Sequence, residues 1–170
     1  MYTAGITLNI YSHCPRDYVC PFCLVIAGIE NDYVLTLQDH IVFKNQQVTA
    51  FVSSHHFMEQ GTNVLIVPNE HYENIYSLPD SYGSNIQHAK RLIALALKDG
   101  YNCDGISSRQ HNEPAGNQDV WHYHEHLTPR FRGDNLYSRM KTSKVLVPIE
   151  VRTQHARQIK QAMTRLPDHI

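Results

Sequence analysis

Residues 120–130 read VWHYHEHLTPR, with His122, His124 and His126 at strict two-residue spacing ahead of Pro129 and Arg130. Residues at i, i+2 and i+4 share one face of a strand but scatter around a helix. Val120, Trp121 and Tyr123 favour a strand. The spacing therefore predicts a strand over 119–127, with three imidazoles in a row and Trp121, Tyr123, Glu125 and Leu127 on the opposite face. Such a row suits a reactive central histidine, flanked by one that orients it and one that contacts substrate. It equally suits a His-x-His metal pair, which needs further ligands that Glu125 cannot supply from the other face. With 12 histidines in 170 residues, a merely solvated strand face is a third reading. Spacing alone leaves all three open.

Working outward, VTAFVSS (48–54) and NVLIVP (63–68) read as strands, rich in β-branched residues and halted by Ser-Ser or Pro68, with Gly61 in a hairpin loop between them. SLPD (77–80) resembles a helix start, with Ser77 as cap and Pro79 in the first turn. The helix is expected to run to about Lys98 and stop near Gly100, with Gly83 as a weak point. Its core face would carry Ile86, Ala89, Ile93, Ala96 and Leu97. DGISSRQH (104–111) and KVLVP (144–148) are further strand-like runs. The tail from Glu150 to Leu166 sets Val151, His155, Ile159, Ala162, Met163 and Leu166 on one helical face. The class is α+β: a mainly antiparallel sheet of about five strands, a long central helix and a C-terminal helix. One domain over 1–170 is expected, with an arm over 1–19, a core over 20–130 and a C-terminal extension over 131–170.

The composition, 42% hydrophobic and 18% charged, is that of a soluble globular chain, and the formal charge of −1 argues against a broad electrostatic grip on nucleic acid or membrane. An anionic ligand must be held locally, by a few groups. The opening MYTAGITLNIYSHC lacks a basic region followed by an apolar run, and no stretch approaches the ~18 apolar residues of a membrane span. A cytoplasmic, reducing setting is expected, in which Cys14, Cys20, Cys23 and Cys103 are thiols or metal ligands. Cys20 and Cys23 in CPFC have the spacing by which two thiolates grip one tetrahedral Zn²⁺, although a redox pair or two buried thiols share that pattern.

NEPAGNQDVWHYHEHLTPR (112–130) resembles the signature of the histidine triad (HIT) superfamily, His-φ-His-φ-His-φ-φ with φ apolar. Gln118 and Val120 match the segment before it, and Pro129-Arg130 matches the polyphosphate-hydrolysing branch. CPFCLVIAG and AFVSSHHFMEQGTNVLIVPNEHYENIYSL resemble upstream segments of bacterial members, so the likeness covers most of residues 20–130. Glu125 breaks the apolar pattern. Asp119 stands for the usual hydroxyl residue, Asn117 for a glycine, Ser53 for an acidic or amide residue at the ribose, and Asn63 near a usual histidine.

The resemblance implies that His124 attacks the α-phosphorus of a nucleotide conjugate to give a nucleotidyl-histidine, which water hydrolyses. His126 would contact phosphate or the leaving group, and His122 would complete the triad. Gln118, Asn112 (or His111 in its place) and Ser53 would contact substrate, and Arg130 would neutralise a polyphosphate leaving group. Dinucleoside polyphosphates are the favoured substrates. Nucleoside phosphoramidates, or nucleotide binding with little activity, are the alternatives. The resemblance also implies a homodimer and a structural zinc on Cys20, Cys23, His71 and His122, with Cys14 and His13 near enough in sequence to compete. No organic cofactor is expected, and Cys103 would be a buried thiol.

Overall fold

The computed structural model describes residues 11–57, 61–139 and 144–167; the start of the expected arm, residues 1–10, lies outside them. In chain order the elements are α1 (Pro21–Ile26), β1 (Ile41–Lys44), β2 (Val48–Val52), β3 (His55–His56), β4 (Val64–Pro68), α2 (Gly83–Tyr101), β5 (Gly105–Gln110), β6 (Glu125–Arg130), α3 (Leu136–Arg139), β7 (Val145–Leu146) and α4 (Ile149–Met163). The chain is α+β. An antiparallel five-stranded sheet in the order β1-β2-β4-β6-β5 carries the long α2 and the C-terminal α4, and β3 pairs separately with β7.

Strands β2 and β4 are buried at every position, which is why they read as apolar runs broken only by Thr49, whose hydroxyl donates to Asn69: inner strands covered on both faces need no polar side. On one face Val48, Ala50, Val52, Val64, Ile66 and Leu127 pack with Ile86, Ala89, Ile93, Ala96 and Leu97 of α2 and with Ala156, Ile159 and Ala162 of α4. The α2 face is the one the periodicity predicts. Each buried Ile or Leu there contributes about 1.5–3 kcal/mol. On the other face Phe51, Leu65 and Val67 meet Cys20, Phe22 and Val25 around α1. Strand alternation thus gives β6 one side toward the helices and one toward α1.

Several local expectations are corrected. The strand expected from residue 119 begins only at Glu125. Before it, the His122 N–H bonds back to the Val120 carbonyl and the Tyr123 N–H bonds to Tyr72, so a loop rather than a ladder satisfies this backbone. Helix α2 follows a 3-10 turn over Asp80–Tyr82 and has no side-chain cap. Ser77, the expected cap, donates instead to the Asn74 carbonyl. The helix runs through Gly100 and ends at Asn102 in the left-handed region (φ 47°). In α4, Val151 is exposed and Arg152 buried; the guanidinium caps the carbonyls of Leu35 and Val147, a polar anchor that apolar periodicity does not register. The β2–β4 connection holds β3, and its Gly61 sits at φ +90°, where a Cβ would lie only 3.1 Å from the Pro129 ring, a place for glycine alone.

Glu125, the break in the apolar pattern, is buried on the helix face and paired. Its carboxylate takes the Lys90 ammonium of α2 at 2.8 Å and accepts the hydroxyls of Tyr123 (3.0 Å) and Ser108 (3.2 Å). Removing one partner of such a pair strands a charge, whereas replacing both leaves little penalty. Lys90→Met is therefore expected to destabilise the fold by about 2–3 kcal/mol, and Lys90→Met/Glu125→Leu to lie within about 1 kcal/mol of wild type. Urea titration in a double-mutant cycle measures both; additive losses would refute the pairing.

Candidate functional site

His126 is paired across the sheet with Leu65 of β4 and Arg109 of β5. It takes the α1 side of the sheet, while Tyr123 and Leu127 enter the core beneath α2. His122 and His124, although ahead of the strand, lie on the same side: Phe22 sets its ring edge against both, at centroid distances of 5.9 and 5.3 Å, and His124 lies 4.9 Å from His126. The structure therefore brings the three histidines together.

Their ring nitrogens are differently committed. His124 donates from Nδ1 to the His122 carbonyl at 2.7 Å, which leaves Nε2 as a bare lone pair. Burial lowers its pKa from the ordinary histidine value, so the ring is neutral at pH 7. His126 accepts at Nδ1 from the Asn63 amide at 3.2 Å; burial, then His124 and Arg109, hold it well below the usual range. His122 donates from Nε2 to the Pro68 carbonyl at 3.0 Å, and its Nδ1 faces Cys20 Sγ at 3.3 Å. Both His122 nitrogens are thus engaged, by Cys20 and Pro68, and its link to His124 runs through its main-chain carbonyl.

Cys20, Cys23, His71 and His122 converge, with one ligand atom from each lying within 4.8 Å of all the others. Cys23 Sγ stands 3.4 Å from His71 Nδ1 and 3.6 Å from His122 Nδ1. A tetrahedral Zn²⁺ with ordinary Zn–S and Zn–N bonds needs S···N edges of about 3.5 Å, so this donor set fits the metal. The Cys20 hydrogen bond draws the Cys23 thiol down to about 7, favouring the thiolate form a metal requires. The Pro68 carbonyl on His122 Nε2 fixes the tautomer that offers Nδ1, as an outer partner of a metal-bound histidine does. Four protein donors leave no open position, which is the structural type of site. Neighbouring arm residues hold the same loop: Ser12 and the His13 N–H bond to Glu73, and Tyr18 accepts from the Trp121 N–H. His13 and Cys14 do not join the cluster, and Cys103 is buried.

A cleft of about 350 Å³ opens beside His126, lined by Phe57, Arg109, His111, Asn117, Asp119, Tyr137 and Lys144. A smaller hollow of about 80 Å³ adjoins it, reaching His124, Ser53, Asn63 and Phe22. Ser53 thus borders the hollow, its hydroxyl accepting from the His55 N–H. Of the other expected substrate contacts, His111 lines the larger cleft, and Asn112, Gln118 and Arg130 are not among the residues lining it. Asn112 is bonded to Gln110 and to the Ile75 N–H, and His111 faces the cleft with its ring 5.6 Å from His126. Gln118 braces the loop, donating to the carbonyls of Glu73 and Val120 and accepting from the Glu113 N–H. Arg130 lies outside the cleft lining, its guanidinium on Asp134 and Ser107 and over the Tyr137 ring at 4.7 Å. Sequence reasoning misses Arg109, Phe57, Tyr137 and Lys144. Arg109 stands across from His126 in a strand the sequence does predict, so the pairing register would find it. Lys144, held by Asp119 at 2.7 Å, and Tyr137 come from the C-terminal extension, where no motif announces them.

The family model for the HIT domain matches residues 35–133. A curated relative, Protein hit of Bacillus subtilis (strain 168), is 30% identical over 131 residues, 76% of this chain and 83% of that protein. Among solved structures, a zinc-bound histidine triad family protein from Mycobacterium smegmatis superposes with a TM-score of 0.69 at 21% identity, covering 86% of this chain and 94% of that one. The diadenosine triphosphate hydrolase of Plasmodium falciparum gives 0.63 at 16% identity, over 75% and 78% of the two chains. At these identities the likeness to the two structures is one of fold.

Proposed function

Since the chain belongs to the HIT domain family, we propose that it cleaves nucleotide conjugates at the α-phosphorus through a covalent nucleotidyl-histidine on His124, with dinucleoside polyphosphates as favoured substrates. The observation that carries this reading is the 2.7 Å hydrogen bond from His124 Nδ1 to the His122 carbonyl. It leaves a neutral ring with its Nε2 lone pair free, and a neutral nucleophile approaches an anionic phosphoryl group without charge repulsion. In the first step an Nε2–P bond forms, the bond to the leaving group breaks and its electron pair departs with the bridging oxygen. Water then attacks phosphorus and gives up a proton to solvent, the N–P bond breaks with its electron pair returning to His124 Nε2, and the nucleoside monophosphate leaves.

The larger cleft supports a polyphosphate leaving group. Arg109 supplies positive charge beside His126, Lys144 stands in the same cleft paired with Asp119, and Phe57 and Tyr137 add aromatic walls. A fold-level neighbour is a diadenosine triphosphate hydrolase, which agrees with that substrate class. The Asp119 carboxylate in the same cleft favours the second reading, an amine-bearing leaving group and phosphoramidate hydrolysis. A structural Zn²⁺ on Cys20, Cys23, His71 and His122 and a homodimer, for which β1 and β5 are the sheet's edges, belong to the same proposal. Among the described residues no helix is long and apolar enough to cross a membrane, and the cytoplasmic setting is likewise proposed.

The test is monophosphate release from diadenosine polyphosphates and from adenosine phosphoramidate, run in ¹⁸O-labelled water. Label in the released adenosine monophosphate is expected, with faster turnover of the polyphosphate. Faster phosphoramidate turnover would select the second reading, and tight binding without turnover would overturn both.

A further inference from the structure

His124 and His126 are adjacent imidazoles in one buried site, yet their surroundings hold opposite tautomers. The His124 partner is a carbonyl, which only accepts, so the proton sits on Nδ1. The His126 partner is the Asn63 amide nitrogen, which only donates, so Nδ1 is the acceptor and the proton sits on Nε2. An amide can turn over; as it stands Thr128 donates its hydroxyl to Asn63 Oδ1 at 3.1 Å, whereas the turned amide would make that hydroxyl an acceptor and take this partner from its hydrogen. Both residues are buried, at 2% and 3% exposure, where an unmatched polar atom is costly. Asn63 sits just ahead of β4 and Thr128 lies in β6, two positions beyond His126 on the same side of the strand.

We infer that Asn63, oriented by Thr128, is a positioning residue that fixes His126 as an Nε2–H donor aimed at the oxygen on which negative charge develops. The inference rests on the proposed attack at phosphorus by His124. One ring then offers a lone pair and its neighbour offers a hydrogen, and neither has to change protonation state as the P–O bond breaks. His126 keeps its proton throughout. It stabilises the departing electron pair by hydrogen bonding, as a neutral imidazole can.

Asn63→Asp tests this with an isosteric change. A carboxylate only accepts, so it draws the His126 proton to Nδ1 and favours the imidazolium. Below the raised pKa the cationic ring still carries Nε2–H; above it the remaining proton faces the carboxylate and Nε2 is bare. The variant is therefore expected to lose about 100-fold in kcat at pH 8, the range for one lost oxyanion donor, and to recover most of it near pH 5.5, with KM little changed. Wild type is expected to show no such alkaline loss. Thr128→Val, which frees the amide to turn, is expected to lose less, about ten-fold. Nitrogen-15 NMR of the histidine rings reads the tautomers directly and does not depend on turnover. Wild type is expected to show Nδ1–H at His124 and Nε2–H at His126. A wild-type His126 in the Nδ1–H form would overturn the inference, as would an Asn63→Asp loss equal at every pH with the tautomer unchanged. If wild type cleaves no nucleotide, the proposed function fails, and the NMR result still decides the tautomer.

Discussion

His124→Ala is expected to abolish nucleoside monophosphate release, a loss of about 10⁴-fold or more, while zinc content and secondary structure persist. Neither of its triad neighbours has the geometry to replace it. His122 has both nitrogens committed, to the Cys20 thiol and the Pro68 carbonyl, and His126 accepts at one nitrogen from Asn63 and carries its proton on the other. His126→Ala removes a hydrogen-bond donor rather than the attacking atom, and about 10²–10³-fold is the expected loss. Quenching into alkaline denaturant, in which a histidine N–P bond survives, during turnover of labelled substrate is expected to trap label on wild-type protein and none on His124→Ala. The ring is buried at 2% exposure, so its truncation leaves a cavity whose stability cost is about 2 kcal/mol, too little to unfold the protein at assay temperature. Activity within ten-fold of wild type would remove His124 as nucleophile. Loss of metal from His124→Ala would instead make the triad a metal site.

The parts of this molecule legible in its sequence are those where one local rule dominates. The face of α2 follows from apolar spacing alone, and β2 and β4 from β-branched runs that inner strands tolerate. The three histidines are legible as a row, but not the reason they project together, since residues 119–124 are held by hydrogen bonds to Val120 and Tyr72 rather than by strand pairing. Glu125 is illegible because its partner, Lys90, comes from α2, 35 positions earlier by sequence number and on the opposite layer. Arg152 replaces Val151 at the buried start of α4 for the same kind of reason, while Ile159 and Ala162 face the core as the spacing predicts: the partners of Arg152 are carbonyls, which no side-chain pattern reveals. In the site, Cys20 and Cys23 announce themselves by spacing, whereas His71 gains meaning only through the family resemblance. The cleft wall of Phe57, Tyr137 and Lys144 comes from segments without a motif. Asn63 stands out in the sequence only as a departure, and its role needs the Thr128 hydroxyl to become readable.

Metal removal has the second large expected effect. Zinc, measured after purification without added chelator, is expected at about one ion per chain in wild type and near zero in Cys20→Ser and Cys23→Ser. Cys20 and His122 are buried, Cys23 partly so, and His71 lies at the exposed corner; His71→Ala is therefore expected to weaken binding least, because water can take its place. The sheet core does not depend on the metal, so the apo protein is expected to remain folded but to lose the clamp joining the segment before α1 to the loop before β6. A cost of about 4–5 kcal/mol, well below the free energy by which zinc folds small fingers, corresponds to a Tm drop of roughly 10–20 °C for a chain of this size. Activity is expected to fall with it, and more in kcat than in KM. The reason is that His122 contributes two things at once: Nδ1 to the cluster and its carbonyl to His124 Nδ1. Releasing the ring loosens the carbonyl, and the nucleophile loses the bond that fixes its tautomer. Zinc kept in both cysteine variants, or lost when His126 is changed, would overturn the assignment of these four ligands.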